Sequence, residues 1–248
     1  MVSLKSEREL SMMRKASSFV ARILDEVVSM AEPGVSTLAL DQLAERRCKE
    51  LGVIPAFKGY HGFPGCVCIS LNDEVVHGIP SAKRILKDGD IVGLDFGVSF
   101  QGWYGDSART IGIGKISKEA RQLMAVTQEG LKKGIEQCHE GKRVFDIGHA
   151  IQNYVEGFGY SVVREFVGHG IGSALHEEPQ VPNFGPKGKG MVLKAGMVLA
   201  IEPMINAGSF EVRVLSDGWT AVTADHSLSA HFEHTVAITP KGPEILTI

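Results

Sequence analysis

Acidic residues inside apolar, strand-like runs constrain this chain more than any other feature. Asp95 lies in IVGLDFGV, Glu202 in MVLAIEPMI and Glu233 in AHFEHTVAI. Burying an ionised carboxylate in such a run costs several kcal/mol unless a cation or strong donors compensate. A fourth acid, Asp106 in GWYGDSART, follows Asp95 by eleven positions, with a turn expected around Ser99 to Gly102. In a hairpin centred between Phe100 and Gln101, positions summing to 201 face one another. Asp95 and Asp106 are then cross-strand neighbours with Cβ atoms ~5 Å apart. Phe-Gln makes a poor two-residue turn, and a bulge near Gly102 would shift this register. Any one of these acids, read alone, is a surface-facing strand residue or an ion-pair partner. Several together point elsewhere: like charges gathered in a dry cleft repel, divalent cations are the usual remedy, and oxygen-rich sets favour harder ions.

Histidine supplies the remaining chemistry. His77 in VVHGIP, His169 in VGHGIG and His176 in ALHEEPQ sit beside glycine or acidic residues in turn-like contexts. His169 and His176 are seven apart, two turns if helical, but Gly168, Gly170 and Gly172 argue for a loop or strand end. A lone histidine in such a place is more often structural than a ligand. Beside four anomalous carboxylates the weighting reverses.

Ser6 with Glu9 has capping-box spacing, and Leu10, Met13, Phe19, Val20, Ile23, Leu24, Val27 and Val28 then recur at helical intervals until Glu32, Pro33 and Gly34. A second helix is predicted from Ser36 to Leu51 and Gly52. Strands follow at Cys66 to Leu71 and Ile91 to Phe96, bounded by Gly, Pro, Asn and Asp. The order then repeats, with helices over Lys118 to Cys138 and Phe145 to Phe158 and strands over Ser161 to Val167, Met197 to Ile205 and Ser229 to Ile238. Helix, helix, strands occurring twice suggests two similar halves: an α+β domain spanning 1–248, its largely antiparallel sheet covered by helices and its cleft where the halves meet. Asn183 to Gly190 reads as a long exposed loop, and Cys138, His139 and Glu140 as surface residues.

The 44% apolar content over 248 residues suffices for a core, and a net charge of −3 without a basic stripe disfavours nucleic acid. The opening MVSLKSERELSMMRKASS lacks the apolar centre of a signal peptide, no run reaches membrane-spanning length, and Cys48, Cys66, Cys68 and Cys138 form no CxxC pair. A reducing cytoplasm is the expected compartment. Cys66 and Cys68 alternate along a strand and so point to opposite faces, which argues against a shared ion.

The segments YHGFPGCVCISLNDEVVHGIP, DFG…GD, GHGIG…LHEEP, GMVLAIEP and AHFEHT, in this order and spacing, resemble those of the type I methionine aminopeptidases. The resemblance implies a pita-bread fold and two divalent ions, cobalt, manganese, iron or similar, held by Asp95, Asp106, His169, Glu202 and Glu233. It makes Asp106 and Glu233 bridging ligands, with Asp95 completing one site and His169 and Glu202 the other. It also places His77 and His176 against the scissile peptide and puts Tyr60, Cys68 and Trp219 in a methionine pocket. Phe63 and Leu175 stand at pocket positions where larger or more polar aromatics are expected. Only 33 residues separate His169 from Glu202 and 31 separate Glu202 from Glu233, which leaves no room for the helical insertion of type II enzymes.

The implied reaction is removal of the first methionine from nascent chains with a small second residue, by a monomer working near the ribosome. Two adjacent ions would share a water and lower its pKa from ~16 toward ~7. Glu202 would take its proton, His176 would help stabilise the developing oxyanion, and His77 would position the amide. Arg109, His231 and His234 stand close in sequence to ligands and are candidates to support them. Two other readings compete: an Xaa-Pro peptidase of the same fold, which usually carries an added N-terminal domain, and a non-catalytic peptide-binding module, which typically has gaps in the ligand set.

Overall fold

The computed structural model describes residues 2–248. Ser6 and Glu9 form the expected capping box, the Glu9 carboxylate accepting from Ser6 N at 2.7 Å, and helix α1 runs Glu7–Met30. Helix α2, Thr37–Leu51, starts where Ser36 Oγ accepts from Ala39 N and stops at Gly52, which takes the left-handed conformation of a C-cap (φ 68°). Both cover a sheet whose central strand, Ile91–Phe100, pairs with Ile54–Pro55 and Val67–Leu71 along one edge and with Trp103–Gly112 along the other. Val20, Ile23, Leu24 and Val27 of α1 pack there on Ile69, Leu94 and Phe96. The backbones approach so closely that a Cβ on Gly105 would lie 2.9 Å from Ser17 N and Cα.

The second half repeats the plan. Helices α3 (Lys118–Ile135) and α4 (Val144–Glu156) cover a five-stranded sheet in the order Gly242–Ile245, His234–Thr239, Val198–Ile201, Gly168–Gly170, Glu177–Val181. A three-stranded sheet of Ser229–His231, Met204–Asn206 and Ser161–Val162 continues it, and every strand pairing among the described residues is antiparallel. A second core of Leu123, Ile147, Ile151, Leu199, Ile201 and Val236 fills this half.

The halves are stitched strand to strand at their junction. Ala108 and Glu233 exchange backbone hydrogen bonds, Glu233 N to Ala108 O at 2.9 Å and Ala108 N to Glu233 O at 3.4 Å. On either side a threonine hydroxyl replaces the next ladder rung. Thr110 Oγ1 accepts from His231 N and donates to His231 O, and Thr235 Oγ1 does the same with Asp106 N and O. Each threonine lies two residues beyond the central pair on its own strand, the symmetry that two similar halves require.

Several expectations need correction. The hairpin closes at Gln101–Gly102, both with positive φ (51° and 81°), as a two-residue turn that matches strand twist requires. Paired positions therefore sum to 203: Asp95 faces Ala108, and Asp106 faces Gly97. A slip of two keeps both aspartates on one face, as diagonal rather than direct neighbours. The runs Met197 to Ile205 and Ser229 to Ile238 are each broken, at Glu202-Pro203 and at Phe232-Glu233, and Ser161 to Val167 is strand only over Ser161–Val162. Asn183 is fully buried, its amide donating to Glu202 O at 3.1 Å, so the 183–190 segment is exposed only in its later part. Cys138 is likewise buried, held in the second half's core by a turn in which its N donates to Ile135 O at 2.9 Å.

Candidate metal centre

The two interrupted runs share one register. His234 faces Ile201 and Met204 faces His231, so numbers sum to 435 on both sides of the interruption, which sets Glu202 opposite Glu233. The strand pair changes sheets here, and its open segment carries both glutamates. Asp95 and Asp106 approach from the first half's hairpin across the Ala108–Glu233 seam. His169 enters from the Gly168–Gly170 strand, beside Val198–Ile201.

These five side chains line one cavity of about 320 Å³, together with Tyr60, Phe63, Cys68, His77, Leu175, His176 and Trp219. Every site residue expected from the sequence therefore converges. Ligand atoms of Asp106, His169 and Glu233 lie within 4.8 Å of one another, and His169 Nε2 is 3.5 Å from Glu202 Oε1. His169 Nδ1 lies 2.8 Å from Gly170 O, which can only accept, so the proton sits on Nδ1 and the Nε2 lone pair is free.

Electrostatically the site is unfavourable as a set of bare anions. Burial first, then the neighbouring acids, pushes Asp95 and Glu233 well above the usual carboxylate range. Glu202 rises through burial and the charge of Asp106, and burial takes Asp106 itself up to about 7. Burial draws His169 down to about 4, which leaves the imidazole neutral and able to ligate. Asp95 Oδ1, Asp106 Oδ1 and Glu233 Oε1 are buried with no hydrogen-bond partner. Three orphaned carboxylate oxygens beside a free imidazole nitrogen are the donor set a divalent cation satisfies. A second cluster, Asp41, Glu45 and Cys66, differs in kind. Asp41 Oδ1 already accepts from Cys66 N and Val67 N, Glu45 pairs with Lys58, and burial pushes the Cys66 thiol up to about 12.

On the opposite wall, Tyr60 Oη lies 2.7 Å from His176 Nδ1, and the His176 ring stands 4.2 Å from that of His169. His77 holds a positive φ of 61°, a strained conformation for a non-glycine residue, with its ring edge-on to Phe166. Burial, then His176, lowers His77 to about 4. Trp219 stacks edge-on with Phe63 at 5.2 Å, and Asp217 fixes its loop by accepting from Trp219 N and Thr220 N. Cys68 faces Asp95 across the ladder, and burial among carboxylates keeps it a neutral thiol.

Of the three candidate supporters, Arg109, His231 and His234, only His231 reaches the site. It is buried, with Nε2 unpartnered and 3.9 Å from Glu202 Oε2. Arg109 points to the surface and pairs with Asp25, while His234 Nδ1 is 2.9 Å from Thr247 Oγ1. Sequence reasoning missed Phe57, His61, Val76, Glu165, Phe166, Val167 and Met204, which also line the cavity. His61, Val76, Val167 and Met204 lie within two positions of a ligand or pocket residue, which was the available signal; Phe57, Glu165 and Phe166 lie three or four away.

Residues 11–240 match the model of metallopeptidase family M24. The chain is 53% identical to methionine aminopeptidase 1 of Bacillus subtilis, over 100% of this chain and 99% of that protein. It superposes on the solved structure of methionine aminopeptidase from Thermotoga maritima with a TM-score of 0.98 at 47% identity, covering 100% and 99% of the two chains. A prolidase from Pyrococcus horikoshii gives 0.80 at 25% identity, with 99% of this chain matched to 63% of that one.

Proposed function

The chain belongs to metallopeptidase family M24, and from its full-length identity to methionine aminopeptidases we infer that it is an aminopeptidase releasing N-terminal methionine from peptides. The observation that carries the reading is the trio of buried, unpartnered carboxylate oxygens of Asp95, Asp106 and Glu233 beside the free Nε2 of His169. With Glu202 they would hold two divalent ions, which supply Lewis acidity and make hydroxide available near neutral pH. Cobalt, manganese and iron all suit such a donor set.

Glu202 is the group that accepts the water's proton and returns it to the leaving amine, since its carboxylate borders the ligand cluster. His176, oriented by Tyr60, faces the substrate carbonyl, and His77, its ring braced on Phe166, orients the scissile amide. Tyr60, Cys68 and Trp219, with Phe63 stacked on Trp219, form a recess for an unbranched thioether. A cavity this small favours a small second residue. The natural substrates are then nascent chains, met by a monomer in the cytoplasm. Among the described residues no helix is long and apolar enough to cross a membrane.

The Xaa-Pro reading is not favoured, because identity is 53% to the methionine-specific relative and 25% to the prolidase. The test is chelation, readdition of cobalt, manganese or iron singly, and a comparison of Met-Ala-Ser, Met-Leu-Ser and Ala-Pro-Ala. Metal-dependent release of methionine, fastest from Met-Ala-Ser, is expected. Faster cleavage of Ala-Pro-Ala would overturn the assignment.

A further inference from the structure

Glu177 follows His176 directly and is the hub of the loop that carries it. Its Oε1 accepts from Ser173 N at 2.7 Å, Ser173 Oγ at 3.2 Å and Ala174 N at 3.2 Å, which closes residues 173–177 into one turn. Its Oε2 receives Lys5 Nζ at 2.6 Å. Lys5 comes from the segment ahead of α1, and its side chain is only 2% exposed. The same lysine is fixed through its backbone, Lys5 N donating to Gly196 O at 2.7 Å. The contact admits no bulk: a Cβ on Gly172 would lie 2.5 Å from Lys5 Cε and 2.5 Å from Glu177 Oε1. Within this braced turn, Leu175 and His176 project into the cavity, while Ser173 and Ala174 are exposed to solvent.

We propose that Lys5 is a positioning residue, which through Glu177 locks the 171–177 loop and thereby holds His176 against the substrate. Removing one partner of a buried ion pair leaves the other charge uncompensated. Glu177 would then turn outward toward water and release its three loop donors. At the exposed loop end only the Gly172 N to Ala174 O bond (3.1 Å) would then remain, while buried Leu175 anchors the rest, so the effect is local opening rather than global unfolding. Lys5 does not line the cavity; His169, just ahead of the loop, is held on its other side by pairing with Ala200, and the other four ligands lie on other segments, so metal affinity should change little.

The role rests on the proposed peptidase function, and the experiment separates the two. Lys5→Met and Lys5→Arg are made in the full chain. Amide hydrogen exchange is followed in chelated protein, metal affinity is read by calorimetry, and kcat and KM are measured on Met-Ala-Ser. In Lys5→Met, exchange at 173–177 should accelerate at least about tenfold. Its kcat should fall about tenfold or more, metal affinity should stay within about twofold, and Lys5→Arg should recover most of both losses. Wild-type exchange in that loop, wild-type kcat, or a parallel loss of metal affinity would each overturn the proposal. Should Lys5→Met not fold, Glu177→Gln, which keeps an acceptor for the Ser173 and Ala174 donors, gives the same readouts. An unmodified protein that leaves Met-Ala-Ser intact refutes the peptidase reading instead, because the exchange measurement needs neither substrate nor metal.

Discussion

Stripping divalent ions from the cavity should cost the fold more at pH 7 than at pH 5, and Asp106 sets the scale. Burial raises its pKa from 3.8 to about 7, so the native metal-free protein keeps a proton that the unfolded chain releases from about pH 4 upward. Over that interval the native state binds more protons, and stability falls as pH rises. At 1.36 kcal/mol per pH unit the loss reaches about 4 kcal/mol for this one carboxyl and is complete only above pH 7. Asp95, Glu202 and Glu233, raised by the same burial and mutual repulsion, add to the decline in the same sense.

The buried histidines act in the opposite sense. His77 and His234 are drawn down to about 4 and His231 to about 3, so the stability they contribute grows with pH and is complete above their unfolded value of 6.5. Comparing loaded with chelated protein at one pH cancels these terms and isolates the carboxylates, which a bound cation keeps ionised. Denaturant midpoints at pH 5, 6 and 7, with manganese or with chelator, give the difference directly. The gap should widen by about 1 kcal/mol or more per pH unit. A constant gap across this range would refute the reasoning.

Glu202→Ala, Asp106→Ala and Glu233→Ala should each abolish release of methionine from Met-Ala-Ser; full activity in Glu202→Ala would remove the proposed base. His77→Ala and His176→Ala should leave calorimetric metal binding intact while losing about 10²-fold or more in kcat/KM. Arg109→Ala breaks only a surface pair with Asp25, so stability should change by about 0–1 kcal/mol and kinetics not at all. Gly105→Ala drives a methyl group into the α1 backbone at Ser17 and should destabilise the fold by about 1–3 kcal/mol, seen as a lower denaturant midpoint.

How much of this was legible in the chain depended on the range of the interaction. The α1 capping box and the Gly52 stop are local, and both were readable. The aspartates stayed on one face despite the wrong turn, because a slip of two preserves strand parity. Pairing between distant segments left no such trace. Thr110 and Thr235 look like ordinary strand residues until each is seen bridging 121 or more positions to the other half. Lys5 and Glu177, 172 positions apart, carry no local signal, and Cys138 beside exposed His139 and Glu140 gave no hint of its burial. An apolar run also reads alike whether its ladder is continuous or opens midway, so the interruptions at Glu202 and Glu233 were invisible although the acids themselves were conspicuous.

Those interruptions say what the acids cost. Two glutamates directly opposed across an antiparallel ladder repel, and here they do so in a buried site with Asp95 and Asp106 alongside. Without a cation the arrangement is tolerable only while protons neutralise it, so the metal-free fold carries a penalty that serves binding alone. The double variant Glu202→Gln/Glu233→Gln keeps shape and hydrogen-bonding capacity while removing two of the four charges. In chelator at pH 8.5 it should therefore unfold at a higher denaturant concentration than the unmodified chain. Near pH 4, where all four carboxyls are protonated, the two proteins should converge. Metal should no longer stabilise the variant appreciably, and it should release no methionine. A variant less stable than the unmodified chain in chelator at pH 8.5 would mean that the glutamates hold the seam together by themselves, without need of an ion.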